Sequence, residues 1–306
     1  MSGDRRHVVV TGAGGFVCAA FAQALASRGW QVTALDRHFD AAARRKLTGV
    51  RLVEADLLAS PGVIASLAPG AVIHGAALTA SPEALGISPA AHLEMNTTLT
   101  LRALAEARQA GAGRLIFLSS TGVFDQRDGL DRARLTEDMT PTAKGPYAAT
   151  KLAGEILTMA AQEPDFAALP LRLGNIFGPG EVARPSRPGL SLPQRLHAEA
   201  VQGMLRSGRA GALREWAWLP DLAQGVAALL EALPDVEPGV LHAGTPPAIG
   251  DEALAELIAP GVPRHFATDG PMRPPMGSCR RSPMALLDWT AIPAGLAALG
   301  LSEDTP

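Results

Sequence analysis

Short apolar runs recur along the first part of the chain: His7-Val-Val-Val-Thr11, then segments at 31–35, 50–53, 71–74, 114–118 and 169–173. A strand with one wet face alternates apolar and polar side chains, whereas a continuous apolar run is buried on both faces. Helical patterns separate most of these runs, beginning with the alanine-rich segment 16–27. Alternating buried strands and helices predict an α/β fold, a doubly wound parallel sheet with its ligands at the carboxyl ends of the strands. Three loops leave strands at that edge: Asp56-Leu57, Gly75-Ala-Ala-Leu78 and Ser119-Ser-Thr-Gly-Val-Phe124.

The first strand runs directly into Gly12-Ala-Gly-Gly-Phe-Val-Cys18 and then into the helix. Strand, glycine turn and helix form the context in which a dinucleotide is bound. Gly12 and Gly15 let the backbone approach a pyrophosphate, and free N–H groups at the helix start, around Phe16 and Val17, supply hydrogen bonds. The second strand ends at Asp36, placed to reach the hydroxyls of the adenosine ribose. A carboxylate there repels a 2′-phosphate, so the cofactor expected is NAD. Arg37 follows directly and is the residue that would accept that phosphate if the cofactor were NADP.

Tyr147, the only tyrosine, precedes Lys151, one of three lysines, by four residues in Gly145-Pro-Tyr-Ala-Ala-Thr-Lys-Leu-Ala-Gly-Glu155. At that spacing both side chains share one helix face. An ammonium beside a phenol favours the phenolate, which makes the tyrosine a general base near neutral pH.

Composition narrows the class further. A net charge of −3 and a pI near 6.2 leave no electrostatic footprint for nucleic acid. No apolar stretch has the length of a membrane span. Arg5-Arg6 before a mostly apolar stretch resembles an export signal, but glycines at 12, 14 and 15 interrupt it. Cys18 and Cys279 lack metal or redox spacing, which points to a reducing, cytoplasmic setting. The seven histidines, at 7, 38, 74, 92, 197, 242 and 265, include no pair at ligand spacing, so no metal is expected.

Together these residues resemble the extended short-chain dehydrogenase/reductase family, which includes sugar-nucleotide epimerases, dehydratases and sugar-acid dehydrogenases. The resemblance covers most of residues 7 to 245. Thr11, Gly12 and Gly15 are similar to the family's Thr-Gly-x-x-Gly-x-x-Gly, with Cys18 where the last glycine usually stands. Asp56-Leu57 looks like the acidic pair at the adenine edge, and His74-Gly-Ala76-Ala77 like the strand-four motif lining the cofactor. Asn96 matches the helix Asn-x-x-x-Thr motif beneath the site. Ser119-Ser-Thr-Gly-Val-Phe124 is similar to Ser-Ser-x-x-Val-Tyr, which makes Ser120 the catalytic hydroxyl and Thr121 the alternative one. Phe124 stands in place of a tyrosine. Arg172-Leu-Gly-Asn175-Ile-Phe-Gly-Pro179 resembles Arg-x-x-Asn-Val-Tyr-Gly-Pro, whose Asn faces substrate.

The resemblance implies a Rossmann-type enzyme in which Tyr147 takes a hydroxyl proton as hydride moves to NAD. Ser120 would bond the same oxygen, and Lys151 would lower the Tyr147 pKa and hold the nicotinamide ribose. Dehydratases of the family carry Thr-Asp-Glu near the serine, and Ser120-Thr121-Gly122 has no acid, so elimination is not expected. Arg214-Glu-Trp-Ala-Trp-Leu-Pro-Asp221 is similar to a segment whose arginine grips a diphosphate in epimerases. The later Arg-x-Gly-Asp pattern is replaced by Met272-Arg-Pro-Pro-Met276, and only about 33 residues separate Gly180 from Arg214, which is short for a uridine-diphosphate site.

Arg184, Arg187 and Arg195 fall in the presumed substrate loop, and at least one is expected to hold an anionic group. The division expected is a cofactor domain of residues 1–177 completed by 214–243, and a substrate lobe of 178–213 and 244–306. Helices near 92–110 and 147–161 would form a homodimer interface in the family manner, with Leu93, Leu99, Leu104, Ile156 and Met159 as candidates, residues that would equally serve as ordinary core. The activity expected is NAD-dependent oxidation of a secondary alcohol on a small, anionic sugar or sugar acid. The alternatives are an NAD-retaining nucleotide-sugar epimerase and a noncatalytic NAD-binding redox sensor.

Overall fold

Seven parallel strands form the centre of the molecule, which is represented by a computed structural model that describes residues 6–184 and 189–302. The first half runs β1 (His7–Thr11), α1 (Phe16–Ser27), β2 (Gln31–Asp36), α2 (Ala41–Lys46), β3 (Arg51–Glu54), α3 (Val63–Ser66), β4 (Ala71–His74), α4 (Pro82–Leu85), α5 (Pro89–Gln109), β5 (Arg114–Ser120), α6 (Pro146–Ala160) and β6 (Ala167–Leu173). It continues with β7 (Ile176–Phe177), α7 (Leu192–Ala200), β8 (Leu213–Glu215), β9 (Ala217–Trp218), α8 (Leu219–Ala232), β10 (Leu241–His242), β11 (Ala248–Gly250), α9 (Asp251–Ile258) and α10 (Ile292–Ala298). The sheet order is β10-β6-β5-β4-β1-β2-β3. Winding reverses between β1 and β4, and the crevice at such a reversal is where ligands sit in open α/β sheets.

Alternation of side chains across the sheet builds two cores. Val8 and Val10 of β1 join Ile73, Ile116 and Leu171 under α1 and α8, while Val9 joins Val72, Leu115 and Phe117 under α5. Burial of each such side chain contributes roughly 1.5–3 kcal/mol. This two-sided covering is why the strands read as unbroken apolar runs. Gly154 of α6 allows a close approach of helix to sheet: a Cβ there would lie 2.2 Å from Cζ of Phe117.

A third apolar cluster draws together Phe177, Leu196, Trp216, Trp218, Leu254 and Leu296 from β7, α7, β8–β9, α9 and α10. It supports the loops that close over the carboxyl edge of the sheet. Of the residues expected at a helical interface, Leu99 and Leu104 are buried in the core beneath α5, whereas Leu93, Ile156 and Met159 are exposed. Leu99 and Leu104 take the ordinary core role, since they lie on the stripe facing the sheet.

Candidate active site

Pro146 opens α6 and places Tyr147 and Lys151 on its first two turns. Lys151 is 6% exposed; its Nζ donates to the Leu118 carbonyl at 2.7 Å and lies 5.7 Å from the centre of the Tyr147 ring. Burial lowers its pKa from 10.5 to about 8, with Cys18 and Glu155 acting in the opposite direction. The ammonium is therefore still the main form at pH 7, ready to stabilise negative charge on Tyr147.

Ser120 ends β5 and caps the short turn that follows, its Oγ accepting from Gly122 N at 3.0 Å. A Cβ on Gly122 would lie 3.2 Å from Ser120 Oγ and 3.3 Å from Tyr147 Cε1, so hydroxyl and phenol ring flank one point. Ser120, Tyr147 and Lys151 stand in the wall of one cavity of about 430 Å³. Thr121, expected as a substrate residue, is buried and lies outside that wall, because the tight turn after Ser120 carries its side chain inward.

Polar contacts beneath this wall are extensive. Glu155, one turn beyond Lys151, accepts from Ser119 Oγ at 2.5 Å and from Arg172 Nε and Nη2 at 2.8 and 2.7 Å. Arg172 also meets His242 Nε2 at 3.4 Å and lies over the Phe124 ring. Phe124 is thus a buried packing partner. The sequence had offered no sign of this network beyond the Lys151-x-x-x-Glu155 spacing.

The glycine turn has the tightness that a bound pyrophosphate requires. Gly12 has φ +72°, and a Cβ there would approach Ala76 N to 2.8 Å; one on Gly14 would meet His38 O at 2.5 Å. Gly15 precedes α1 as its N-cap with no side-chain cap hydrogen bond, and the first turn has no acid, which leaves the helix N–H groups for an anion. Phe16 is buried and Val17 lines the cavity. Asp36 stands at the end of β2, its Oδ2 accepting from Gly14 N at 2.8 Å, and Arg37 beside it is exposed. These residues fit NAD.

Other expected cofactor residues shape the loop after β4. Ala76 N and Gly75 N both donate to Thr11 Oγ1. Asn96 grips Leu78, its Oδ1 accepting from Leu78 N at 2.8 Å and its Nδ2 donating to Leu78 O at 3.2 Å. Its amide is therefore occupied in holding the loop that carries Ala76 and Ala77. Asp56 turns back to accept from Leu58 N, beside the buried Leu57. Cys18, in the usual glycine position, is buried in the cavity wall, where burial pushes its thiol up to about 12.

The substrate-side arginines separate. Arg184, expected to bind substrate, instead donates to the Gly14 carbonyl and pairs with Asp40 at 3.1 Å, because its loop crosses the glycine turn. Arg187 lies outside the described residues. Arg214 lines the cavity but is held by Asp251, Nε to Oδ1 at 2.9 Å and Nη2 to Oδ2 at 3.2 Å. Asn175 lines it too, tied through Nδ2 to Glu215 Oε1 at 3.2 Å. Arg195, expected in the substrate loop, also stands in the wall, as does Trp216 of the Arg214-Glu-Trp segment.

Fold and site define an NAD-dependent enzyme of the short-chain dehydrogenase/reductase class. The chain belongs to the NAD dependent epimerase/dehydratase family, whose model matches residues 8–244. It is 32% identical over 207 residues to the 2-alkyl-3-oxoalkanoate reductase of Stenotrophomonas maltophilia (strain K279a), an alignment covering 65% of this chain and 57% of that protein. Identity to a dTDP-4-dehydro-6-deoxy-D-allose reductase of a Streptomyces species is 31% over 248 residues, 76% of this chain and 75% of the relative. Among solved structures, MoeE5 in complex with UDP-glucose and NAD superposes with a TM-score of 0.74 at 26% identity, covering 95% of this chain and 96% of that one.

Proposed function

We propose that the protein is an oxidoreductase that interconverts a secondary alcohol and a ketone on a small polar substrate, a sugar or sugar acid carrying an anionic group. The observation that carries this reading is the convergence of Ser120, Tyr147 and Lys151 on one cavity beside the glycine turn. In the oxidative direction Tyr147 accepts the hydroxyl proton, Ser120 donates to the same oxygen, and Lys151 stabilises charge on Tyr147. NAD supplies the acceptor for the hydride leaving the carbinol carbon. Residues 1–177 with 214–243 hold the cofactor, and 178–213 with 244–306 hold the substrate. Among the described residues the wall includes Lys151, Arg195 and Arg214 and no Asp or Glu, which supports an anionic substrate.

The reading is tested by NADH formation at 340 nm with NAD and a panel of aldonic acids, uronic acids, neutral sugars and simple hydroxy acids. Accumulation with one compound and its loss in Tyr147→Phe, with NAD binding kept, is the expected result. No NADH from any compound overturns it. A second reading, a nucleotide-sugar epimerase that keeps its NAD, draws support from Arg214 in the wall and from the UDP-glucose complex of MoeE5. It is marked by product formed without free NADH.

We also place the enzyme in the cytoplasm, since both cysteines are free, and as a homodimer through α5 and α6. Leu93, Leu101, Ile156 and Met159 are exposed along those helices, with Ile156 64% accessible. Sedimentation of the parent as a dimer, and of Ile156→Glu as a monomer, is expected.

A further inference from the structure

The segment that leaves β7 crosses the glycine turn on its way to the far wall of the cavity. It is rooted at Gly178, where a Cβ would lie 2.7 Å from Leu219 Cβ, and it bends at Gly180, whose φ is +84°. Three sets of contacts then fix its course. At its start, Lys46 Nζ of α2 donates to the Pro179 carbonyl and to the Phe16 carbonyl of α1, both at 3.4 Å, and stands 5.5 Å from the centre of the Phe16 ring. Next, Glu181 accepts from Ser191 N at 2.8 Å and from Ser191 Oγ at 2.6 Å, which ties the segment to the N-cap of α7. Beyond it, Arg184 donates to the Gly14 carbonyl and pairs with Asp40 at 3.1 Å. Asp40 is itself fixed as the cap of α2, accepting from Ala43 N at 2.7 Å.

This crossing lies on the path of the cofactor. Asp36, at the adenosine end, is bonded to Gly14 N, while Tyr147 and Lys151 stand in the cavity with Val17 and Cys18 of α1. A dinucleotide that spans these two ends passes the turn whose Gly14 and Phe16 carbonyls are held by Arg184 and Lys46. We infer that residues 178–184 form a strap over the bound dinucleotide, locked by Arg184 and Lys46, and that the cofactor enters and leaves when this lock opens. The lock is weak enough to open. The Arg184–Asp40 pair is partly exposed, with side chains 20% and 41% accessible, and ion pairs of this kind contribute little singly. Lys46 has two carbonyls and an aromatic face but no carboxylate at ion-pair distance among the described residues, and burial followed by the Arg184 charge lowers its pKa. Two cations close enough to act on each other, with Asp40 paired to one of them, stand at the positive end of α1, and the negative charge of a pyrophosphate relieves their repulsion. Bound cofactor thus favours the closed strap, and the closed strap slows its release. The inference needs only a bound dinucleotide, so it holds for a dehydrogenase and an epimerase alike.

The probe is NADH, followed by its own fluorescence rather than by turnover. Stopped-flow mixing of the NADH-loaded protein with excess NAD gives the release rate, and mixing of free protein with NADH gives the association rate. Arg184→Met is expected to speed release about tenfold, and Lys46→Met and Asp40→Asn several-fold, each with association as fast as in the parent or faster. Arg45→Met, an exposed neighbour on α2, should leave both rates unchanged. Equal release from parent, Arg184→Met and Lys46→Met would overturn the strap. Slower association with unchanged release would overturn it too, since the two cations would then only draw the cofactor from solution. Without any variant, amide exchange across residues 180–184 should slow several-fold when NADH binds, and exchange that ignores NADH would mean that the segment does not close over it. A substrate panel that yields no NADH, with release that depends on Arg184, would sink the redox reading and leave the strap standing. NADH formed from a substrate by a protein whose release rate ignores Arg184 would do the reverse.

Discussion

Glu155 and Arg172 face each other through two parallel contacts, Oε1 to Nε at 2.8 Å and Oε2 to Nη2 at 2.7 Å, with side chains only 3% and 4% exposed. The pair joins α6, one turn past Lys151, to β6 at the register position opposite Ser119, next to Ser120. Removing one partner strands the other charge in the interior, which costs about 3–5 kcal/mol. Glu155→Gln should therefore lose roughly that much in urea unfolding. A double variant, Glu155→Leu with Arg172→Leu, should lose less than the two single changes summed. Additive losses would show that the two charges do not act as a pair.

Lys151 works against stability for the sake of its site. Its native pKa of about 8 lies below the unfolded value of 10.5, so the native state holds the proton less tightly. The resulting cost is full below pH 8, about 3 kcal/mol, and fades as pH rises to 10.5. Lys151→Met should melt no lower than the parent at pH 7, with any advantage shrinking toward pH 10, while turnover falls about 100-fold or more. A much lower melting temperature would mean that the bond to Leu118 O and the contacts with Phe117 and Tyr147 outweigh the burial.

His74 should make the protein sensitive to acid. Burial, followed by the charge of Lys151, pushes its pKa from 6.5 down to about 3. The unfolded chain binds the extra proton between those values and the native chain does not. Stability from this group is intact above pH 6.5 and is lost as pH falls toward 3, with a slope of up to about 1.4 kcal/mol per pH unit. Denaturation midpoints of His74→Asn measured from pH 7 to 4 should fall less steeply than those of the parent. Parallel curves would remove His74 as the cause.

The two thiols should separate by accessibility. Cys18 is buried with its pKa pushed to about 12, whereas Cys279 is exposed. A disulfide reagent at pH 8 should titrate one thiol per native chain and two after unfolding in guanidinium. Rapid reaction of both in the native protein would contradict the packing of Cys18 against Gly75, where a Cβ would lie 2.3 Å from the sulfur.

The cofactor side of the site was legible because it is written in local geometry. Gly12 needs a positive φ, Asp36 ends a strand, and Tyr147 and Lys151 share a helix face, each within a span of a few residues. The substrate side was not legible. Arg184 and Arg214 have the same chemistry in sequence, yet one lies on the glycine turn and the other on Asp251, 37 positions away. Thr121 and Ser120 are adjacent hydroxyls that a single tight turn sends in different directions.

By itself, the sequence determined the order of strands and helices, the winding of the sheet and the cofactor turn, because burial on both faces and short-range spacing leave direct marks on residue order. Only the tertiary structure decided which polar groups were consumed by one another and which stayed open to a ligand. Asn96 on Leu78, Glu155 on Arg172 and Asp251 on Arg214 are long-range pairings, and they leave Arg195 exposed in the cavity wall. A side chain's freedom to bind depends on the partners that packing brings to it, and those partners come from parts of the chain far apart in sequence.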